Sequence, residues 1–394
     1  MNIHFIGIGG IGNSALAQIY KSQGHTVSGS DSTTSDLTKH LEESGIKVSI
    51  GHNAENAKDA ELIVYSPAIP QNNPELLPGV KTLSYPEALG ELTKEYETIA
   101  VAGTHGKSTT TAMLASIMID AGLDPTVVVG TKVRELDGEN FRVGKGKYLL
   151  IEACEYKDSF LNFHTTHLII TNIEADHLDF YKTEEAYFKA FKELKSRATG
   201  EIITDSEELD LKPGVPGQFN VENARKAATL ALKLGISLEQ IQKSIANFKG
   251  TWRRYEIKEN NLGLTMIDDY AHHPTEILAT LSTIRGEYPD AKILCIFQPH
   301  QYSRTHLLLE RFGTSFQDAD TVIIPNIYEV RDTPEDIAKV NTDMLVAEIA
   351  KHNKNVKNGG GLEKTAVYLK AHATDYDVVV TMGAGDIDKI YSML

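Results

Sequence analysis

The segment GTHGKS at residues 103–108 has the composition of a loop that binds the phosphates of a nucleoside triphosphate. It follows an apolar run typical of a strand and precedes a run typical of a helix, which is the setting such a loop requires. Backbone N–H groups and the Lys107 ammonium can bind the β- and γ-phosphates, and the Ser108 hydroxyl can bind Mg²⁺. Val101 stands where the longer form of the motif has glycine, and a glycine loop with an exposed lysine is the alternative.

A second glycine-rich turn lies at residues 7–12, again between a strand-like and a helix-like run. Such glycines let a diphosphate approach the backbone at the N-terminus of a helix, whose dipole favours an anion. Asp31, nineteen residues after Gly12, stands about where an acid that binds ribose belongs. The glycines do not distinguish NAD, FAD and a UDP-sugar, and a tight turn without a ligand is the alternative.

Acidic residues and a histidine follow two further strand-like runs. Glu152 and Glu155 end the first of these runs, and His177 follows the second. Because neighbouring parallel strands end at one edge of a sheet, Glu152 and His177 can meet there and complete the ligand shell of a Mg²⁺ ion. For each residue taken singly, a solvated or helix-capping role is the alternative.

The last third of the chain carries a third group of polar residues. The paired arginines Arg253 and Arg254 suit the charge of a phosphoryl transition state, and a surface charge pair is the alternative. Asp269 ends a strand-like run and suits a ribose hydroxyl or a metal-bound water. A polar pocket for a small zwitterion is expected from three side chains, those of Tyr270, His272 and Arg304.

The elements that must position these residues are short apolar strands that alternate with helices. Crossovers of this length imply mainly parallel sheets, whose ligands lie beyond the carboxyl ends of the strands. The pattern predicts an α/β fold in three domains: a Rossmann-like domain at 1–93, a central P-loop domain with a parallel sheet at 94–250, and a Rossmann-like domain at 251–394. Strands are predicted at 3–8, 27–29, 47–50, 62–65, 98–102, 148–153, 168–171, 264–268, 292–297, 321–324 and 377–381, and helices at 14–23, 107–121, 184–196 and 221–234.

The net charge and the cysteine content of the chain exclude several classes of protein. The 394 residues carry 39 Lys and Arg against 54 Asp and Glu, a net charge of −15. This field repels the phosphates of nucleic acids and anionic membranes, so neither is expected as a partner. Two cysteines exclude a disulfide framework, and the N-terminal residues lack the pattern of a signal peptide. A cytoplasmic protein is therefore predicted.

Taken together and in this order, the motifs resemble the Mur ligase family over nearly the whole chain. DDYAHHP together with GAGDI is similar to the alanine-adding subgroup, whereas the related ligase that recycles whole peptides usually lacks the GAGDI ending. The resemblance rests on HFIGIGGIG at 4–12, SPAIPQNNPE at 66–75, GTHGKSTTT at 103–111, TNIEADHLDFY at 171–181, FNVENARKAA at 219–228, GTWRRYE at 250–256, DDYAHHPTEI at 268–277, FQPHQYSRT at 297–305 and GAGDI at 383–387.

The resemblance implies an ATP-dependent ligase that joins L-alanine to the carboxylate of UDP-N-acetylmuramate through an acyl phosphate, in the synthesis of peptidoglycan precursors. It implies ATP and Mg²⁺ as cofactors, and a monomer or homodimer. Implied catalytic residues are Lys107, His177 and Arg254; metal ligands are Ser108, Glu152 and His177. Implied ATP-binding residues are Gly103, Thr104, Gly106, Lys107, Ser108, Thr109, Asn223, Arg254 and Asp269. Implied UDP-sugar residues are Gly9, Gly10, Gly12, Asp31, Ser66 and Ala68, and implied amino-acid residues are Tyr270, His272 and Arg304.

This chain departs from the family pattern in the middle. Only 39 residues separate His177 from Gly217, where relatives typically carry a longer, strand-rich insert. The resemblance therefore implies an abbreviated central domain, and ATP shared between the second and third domains. Besides the alanine-adding and peptide-recycling reactions, two alternatives remain open: an oxidoreductase, which leaves GTHGKS unexplained, and a non-catalytic nucleotide-binding descendant.

Overall fold

The computed structural model describes residues 1–178 and 180–394. The chain forms two compact units, Met1–Gly214 with Glu222–Lys249, and Val215–Val221 with Gly250–Leu394. The first unit contains two sheets and the second contains one. The predicted α/β fold is confirmed, and the division into three domains at 93 and 250 stays a prediction.

The first sheet has five parallel strands in the order β3-β2-β1-β4-β5. Four of the five residues of β1 are buried, because the strand lies at the centre of the sheet with a neighbour on each side. The order reverses between β1 and β4, so that the carboxyl ends of these strands flank a crevice. The elements of this part are β1 (Asn2–Ile6), α1 (Ile11–Ser22), β2 (Thr26–Asp31), α2 (Asp36–Glu43), β3 (Lys47–Ile50), β4 (Leu62–Tyr65), β5 (Lys81–Ser84) and α3 (Tyr85–Thr93).

The second sheet has six strands in the order β11-β10-β6-β9-β7-β8, and only the β7–β8 pair is antiparallel among the residues described. Its central strand β6 leads into the loop at 103–106. One hydrophobic core runs continuously from the first sheet into this one. The elements are β6 (Glu97–Ala102), α4 (Lys107–Asp120), β7 (Thr126–Val128), β8 (Phe141–Arg142), β9 (Tyr148–Glu152), β10 (His167–Ile170), α5 (Leu178–Tyr181), α6 (Glu184–Arg197), β11 (Ile202–Ile203), α7 (Gln218–Lys233) and α8 (Leu238–Asn247).

The sheet of the second unit has the order β12-β13-β17-β14-β15-β16, parallel except for the edge pair β12–β13. Apolar side chains cover both of its faces, so β14 and β17 are buried along their whole length. The elements are β12 (Glu256–Lys258), β13 (Thr265–Asp269), α9 (Pro274–Glu287), β14 (Ile293–Phe297), α10 (Tyr302–Leu307), α11 (Leu309–Gly313), β15 (Thr321–Ile324), α12 (Pro334–Ile337), α13 (Thr342–Ile349), β16 (Val356–Asn358), α14 (Leu362–Ala371) and β17 (Val378–Met382).

Every strand and helix predicted from the sequence overlaps an observed element, and 47–50, 62–65 and 321–324 agree at both ends. Six strands were not predicted: β5, β7, β8, β11, β12 and β16. All are two to four residues long, and all but β7 lie at a sheet edge. Among the helices of the described residues, none is long and apolar enough to cross a lipid bilayer.

Candidate active site

The loop at 103–106 joins the central strand β6 to helix α4 and requires glycine at two positions. Gly103 and Gly106 have φ of 137° and 81°, values that favour glycine. A Cβ atom on Gly103 would lie 2.0 Å from Oγ1 of Thr171, and one on Gly106 would lie 2.4 Å from Oδ1 of Asn223. Tight packing against the end of β10 and against α7 thus shapes the predicted phosphate loop.

Lys107 begins α4 and turns its ammonium back over the loop. Its Nζ donates to the carbonyls of Gly103 (2.6 Å) and Thr104 (3.1 Å), and lies 3.0 Å from a carboxylate oxygen of Glu155. Burial lowers the pKa of Lys107, but the carboxylates of Glu155 and Glu152 outweigh it and leave the pKa raised. The ammonium therefore stays charged at neutral pH and can neutralise phosphate charge.

Ser108 and Glu152 form a pair suited to a hard cation. The Ser108 hydroxyl donates to Oε1 of Glu152 at 3.0 Å, and the N–H of Gly130 donates to Oε2 at 2.7 Å. Hydroxyl and carboxylate oxygens are the ligands that Mg²⁺ accepts in nucleotide sites. The predicted oxygen ligands therefore lie together at the carboxyl end of β9 and the start of α4.

His177 lies beside Glu155, with 3.6 Å between its Nε2 and Oε1 of Glu155. It adopts φ of 53° immediately before α5, and its ring is 5.0 Å from that of Tyr156. Glu155 has only 1 % of its surface exposed and also contacts Lys107. Glu155 was not among the site residues predicted from the sequence, although it follows Glu152 by three residues, just after the end of the same strand.

Thr104 is held by a residue that the sequence did not indicate. Its Oγ1 and the phenol oxygen of Tyr187, on α6, are 2.8 Å apart, and the same Oγ1 donates to the carbonyl of Glu174. Tyr187 is fully buried, and its hydroxyl holds Thr104 of the loop against α6. Thr109, in the first turn of α4, is also buried.

The glycine turn at 7–12 meets Asp31 at the carboxyl edge of the first sheet. The N–H of Gly9 donates to Oδ2 of Asp31 at 2.9 Å. A Cβ on Gly9 would lie 2.9 Å from that oxygen, whereas Gly10 has room. At Gly12 a Cβ would lie 2.6 Å from Cζ of Tyr85, so a larger residue there would displace that ring.

Ser66 and Ala68 follow β4 on the other side of the crevice. A Cβ on Gly7 would lie 3.1 Å from Cβ of Ser66, so the turn and the segment after β4 pack closely. The N–H of Ala68 is 3.4 Å from Oγ of Ser66, and Ala68 is exposed. The structure thus brings the predicted UDP-sugar residues to one edge of the first sheet, at the place where its strand order reverses.

In the second unit, the two adjacent arginines differ in environment. Arg253 is 2 % exposed and donates to Asp268 (3.0 Å) and to the carbonyls of Gly383 (2.7 Å) and Gly385 (3.1 Å). Arg253 thus connects the GAGDI segment to β13. Its guanidinium is neither placed to contact a phosphate nor part of a surface charge pair. Arg254 is partly exposed, with its guanidinium 5.2 Å from the Tyr270 ring centre.

Asp269 ends β13 and is buried. Its oxygens accept from the N–H groups of Tyr255 and Ala271, each at 2.8 Å. Burial raises the pKa of Asp269 to about 6, against the opposing charge of Arg254 and the two hydrogen bonds. Asp269 is therefore an unusually basic carboxylate at a strand end.

The three residues predicted for the amino-acid pocket lie in one cluster of the second unit. The rings of Tyr270 and His272 are 5.7 Å apart, and that of His300 follows at 6.3 Å from His272. Arg304 approaches Nδ1 of His300 at 3.4 Å. Tyr328, which the sequence did not indicate, stacks on His300 with 5.7 Å between ring centres.

Three family models match successive parts of the chain. The model described as "Mur ligase family, catalytic domain" matches residues 2–97, the "Mur ligase middle domain" 101–202, and the "Mur ligase, glutamate ligase domain" 253–385. A UDP-N-acetylmuramate–L-alanine ligase of Clostridium novyi is 38% identical over 445 aligned positions, covering 99% of this chain and 96% of the relative. Because this chain has 394 residues, the relative carries residues that this chain lacks.

Solved structures extend the comparison to the fold. The UDP-N-acetylmuramate–alanine ligase of Thermotoga maritima has a TM-score of 0.82 at 28% identity, covering 100% of this chain and 97% of that one. A murein peptide ligase of Psychrobacter arcticus has a TM-score of 0.71 at 22% identity, with coverage of 100% and 97%. The second likeness concerns the fold alone.

Proposed function

The chain belongs to the Mur ligase family, and from this we propose that it joins L-alanine to the carboxylate of UDP-N-acetylmuramate at the expense of ATP. The observation that carries the proposal is the geometry of the loop at 103–106, where Lys107 donates to the carbonyl of Thr104 and the Ser108 hydroxyl donates to Glu152. The similarity to alanine-adding ligases over nearly the full length supports the choice of acceptor. Peptidoglycan precursor synthesis is the setting of this reaction.

The proposed reaction has two steps. A carboxylate oxygen of the muramoyl group attacks the γ-phosphorus of ATP, the bond to the β–γ bridging oxygen breaks, and ADP leaves. The amine of alanine then attacks the acyl carbon, the bond to the phosphate oxygen breaks, and the new amide nitrogen loses a proton. Since a carboxylate is a poor electrophile, phosphorylation supplies the leaving group, and the protein supplies position and charge neutralisation.

In the first unit, Lys107 would bind the transferred phosphate, and the glycines at 103 and 106 would let its oxygens approach the backbone. We propose that Ser108 and Glu152 would hold Mg²⁺ directly and that His177 would reach it through water, since its Nε2 lies 3.6 Å from Oε1 of Glu155. When bound, Mg²⁺ would neutralise phosphate charge. Asn223 lies against Gly106 and is proposed to contact the nucleotide.

In the second unit, Arg254 is the arginine we assign to the γ-phosphate, since it is partly exposed whereas Arg253 is held by backbone carbonyls. Asp269 is proposed to bind the nucleotide. The cluster of Tyr270, His272 and Arg304 is proposed to bind alanine, and its charged and aromatic groups suit a small zwitterion.

The test is release of inorganic phosphate from ATP by the purified protein with Mg²⁺. We expect release only when UDP-N-acetylmuramate and an amino acid are both present. A panel of L-alanine, glycine, L-serine and the free tripeptide L-alanyl-γ-D-glutamyl-meso-diaminopimelate separates the alanine-adding reaction from the recycling one. Hydrolysis that ignores the sugar nucleotide, or activity with the peptide alone, would contradict the proposal.

A further inference from the structure

Tyr85 occupies a position that none of the assigned roles explains. It begins α3 directly after β5, at the same carboxyl edge of the first sheet as the glycine turn. Its ring packs so closely on Gly12 that any side chain there would collide with it. Tyr85 is partly exposed, so the phenol is a candidate for contact with a ligand at this edge.

A chain of hydrogen bonds shows that this edge lies beside the proposed metal ligands, within one unit. The carbonyl of Ile11 accepts from Nδ2 of Asn140 at 2.8 Å, and the N–H of Val129 donates to the carbonyl of Asn140 at 2.9 Å. The next N–H, that of Gly130, donates to Glu152 at 2.7 Å, and Glu152 accepts from Ser108. The start of α1 and the start of α4 are thus joined by a few short links.

The electrostatics of the phenol agree with this placement. Burial raises the pKa of Tyr85, and the negative charge of the Glu152 carboxylate raises it further. At neutral pH Tyr85 keeps its proton and can act as a hydrogen-bond donor.

We propose that the Tyr85 hydroxyl donates a hydrogen bond to the anionic part of the sugar nucleotide and positions it between the glycine turn and the Ser108–Glu152 pair. The proposal rests on the proposed function. A hydrogen bond to a charged acceptor contributes more than one between neutral groups, so its loss is expected to weaken binding about 10- to 100-fold.

The test compares Tyr85→Phe with Tyr20→Phe. Phenylalanine keeps the ring on Gly12 and removes only the hydroxyl. Tyr20, on α1, is the matched control, because its hydroxyl donates to the carbonyl of Ala88 on α3, in the same helix pair, and Ala88 has no assigned role. Binding of UDP-N-acetylmuramate is measured by calorimetry without ATP, and KM for both substrates is measured in the phosphate-release assay.

We expect Tyr85→Phe to raise the Kd and KM of the sugar nucleotide about 10- to 100-fold, to leave KM for ATP unchanged, and to melt near the wild-type temperature. Tyr20→Phe should bind normally. Unchanged sugar-nucleotide binding by Tyr85→Phe, or equal losses in both variants, would overturn the inference alone. Wild-type protein that binds no UDP-N-acetylmuramate would overturn the proposed function and this inference with it.

Discussion

The buried carboxyl of Asp269 makes the stability of the second unit depend on pH near neutrality. Burial raises its pKa from 3.8 to about 6. The protonated carboxyl stabilises the folded state fully below the pKa of the unfolded chain, and this stabilisation is lost as the pH rises through about 6. Between pH 5 and pH 7.5 the loss amounts to about 1.4 kcal/mol, since at pH 5 the folded state holds roughly one proton that the unfolded state does not.

Asp269→Asn removes this titration and keeps the shape of the side chain. The amide can accept from only one of the Tyr255 and Ala271 N–H groups, so we expect a loss of about 1–3 kcal/mol at pH 5. Because the amide does not ionise, the difference in stability between wild type and variant should shrink by about 1.4 kcal/mol at pH 7.5.

Urea unfolding followed by tryptophan fluorescence measures this effect in the second unit, because the single tryptophan of the chain, Trp252, lies in that unit. Unfolding free energies of wild type and Asp269→Asn are compared at pH 5, 6, 7 and 7.5. Asp290→Asn, at an exposed position of the same unit, is the control for a change in net charge. A difference between wild type and Asp269→Asn that is the same at every pH would refute the reasoning.

Two further perturbations test the first unit. Lys107→Ala should lower kcat/KM about 10²- to 10³-fold, because phosphate charge is no longer neutralised, and near-normal turnover in the phosphate-release assay would exclude the phosphate-loop assignment. Glu75 is fully buried, and its desolvation is outweighed by hydrogen bonds with His4, Ser30 and Asn56, which lower its pKa to about 2. The stabilisation from ionised Glu75 is present above pH 4.5 and is lost as the pH falls toward 2. Glu75→Gln should therefore have a lower Tm than wild type at pH 7, and the two Tm values should approach each other in acid. An equal Tm difference at both pH values would contradict this.

Sequence alone determined the central strands and both glycine turns. These features depend on local chemistry: apolar runs that can only be buried, and glycines where a Cβ would collide or φ is positive. The six missed strands are short, and five lie at sheet edges, where one neighbouring strand supplies the hydrogen bonds and burial is partial. They are too short to show a periodic apolar pattern, so pairing in the folded state defines them.

The tertiary structure decided which of several similar residues lie at the proposed site. Adjacent in sequence, Arg253 and Arg254 look alike, but only the fold shows that the first is buried against backbone carbonyls. Tyr187 and Tyr85 belong to no motif, yet they contact the two glycine turns from elements that are distant in the chain. Residue type and spacing indicate which chemistry a segment can perform, whereas burial and partners depend on contacts between remote segments, which local patterns do not encode.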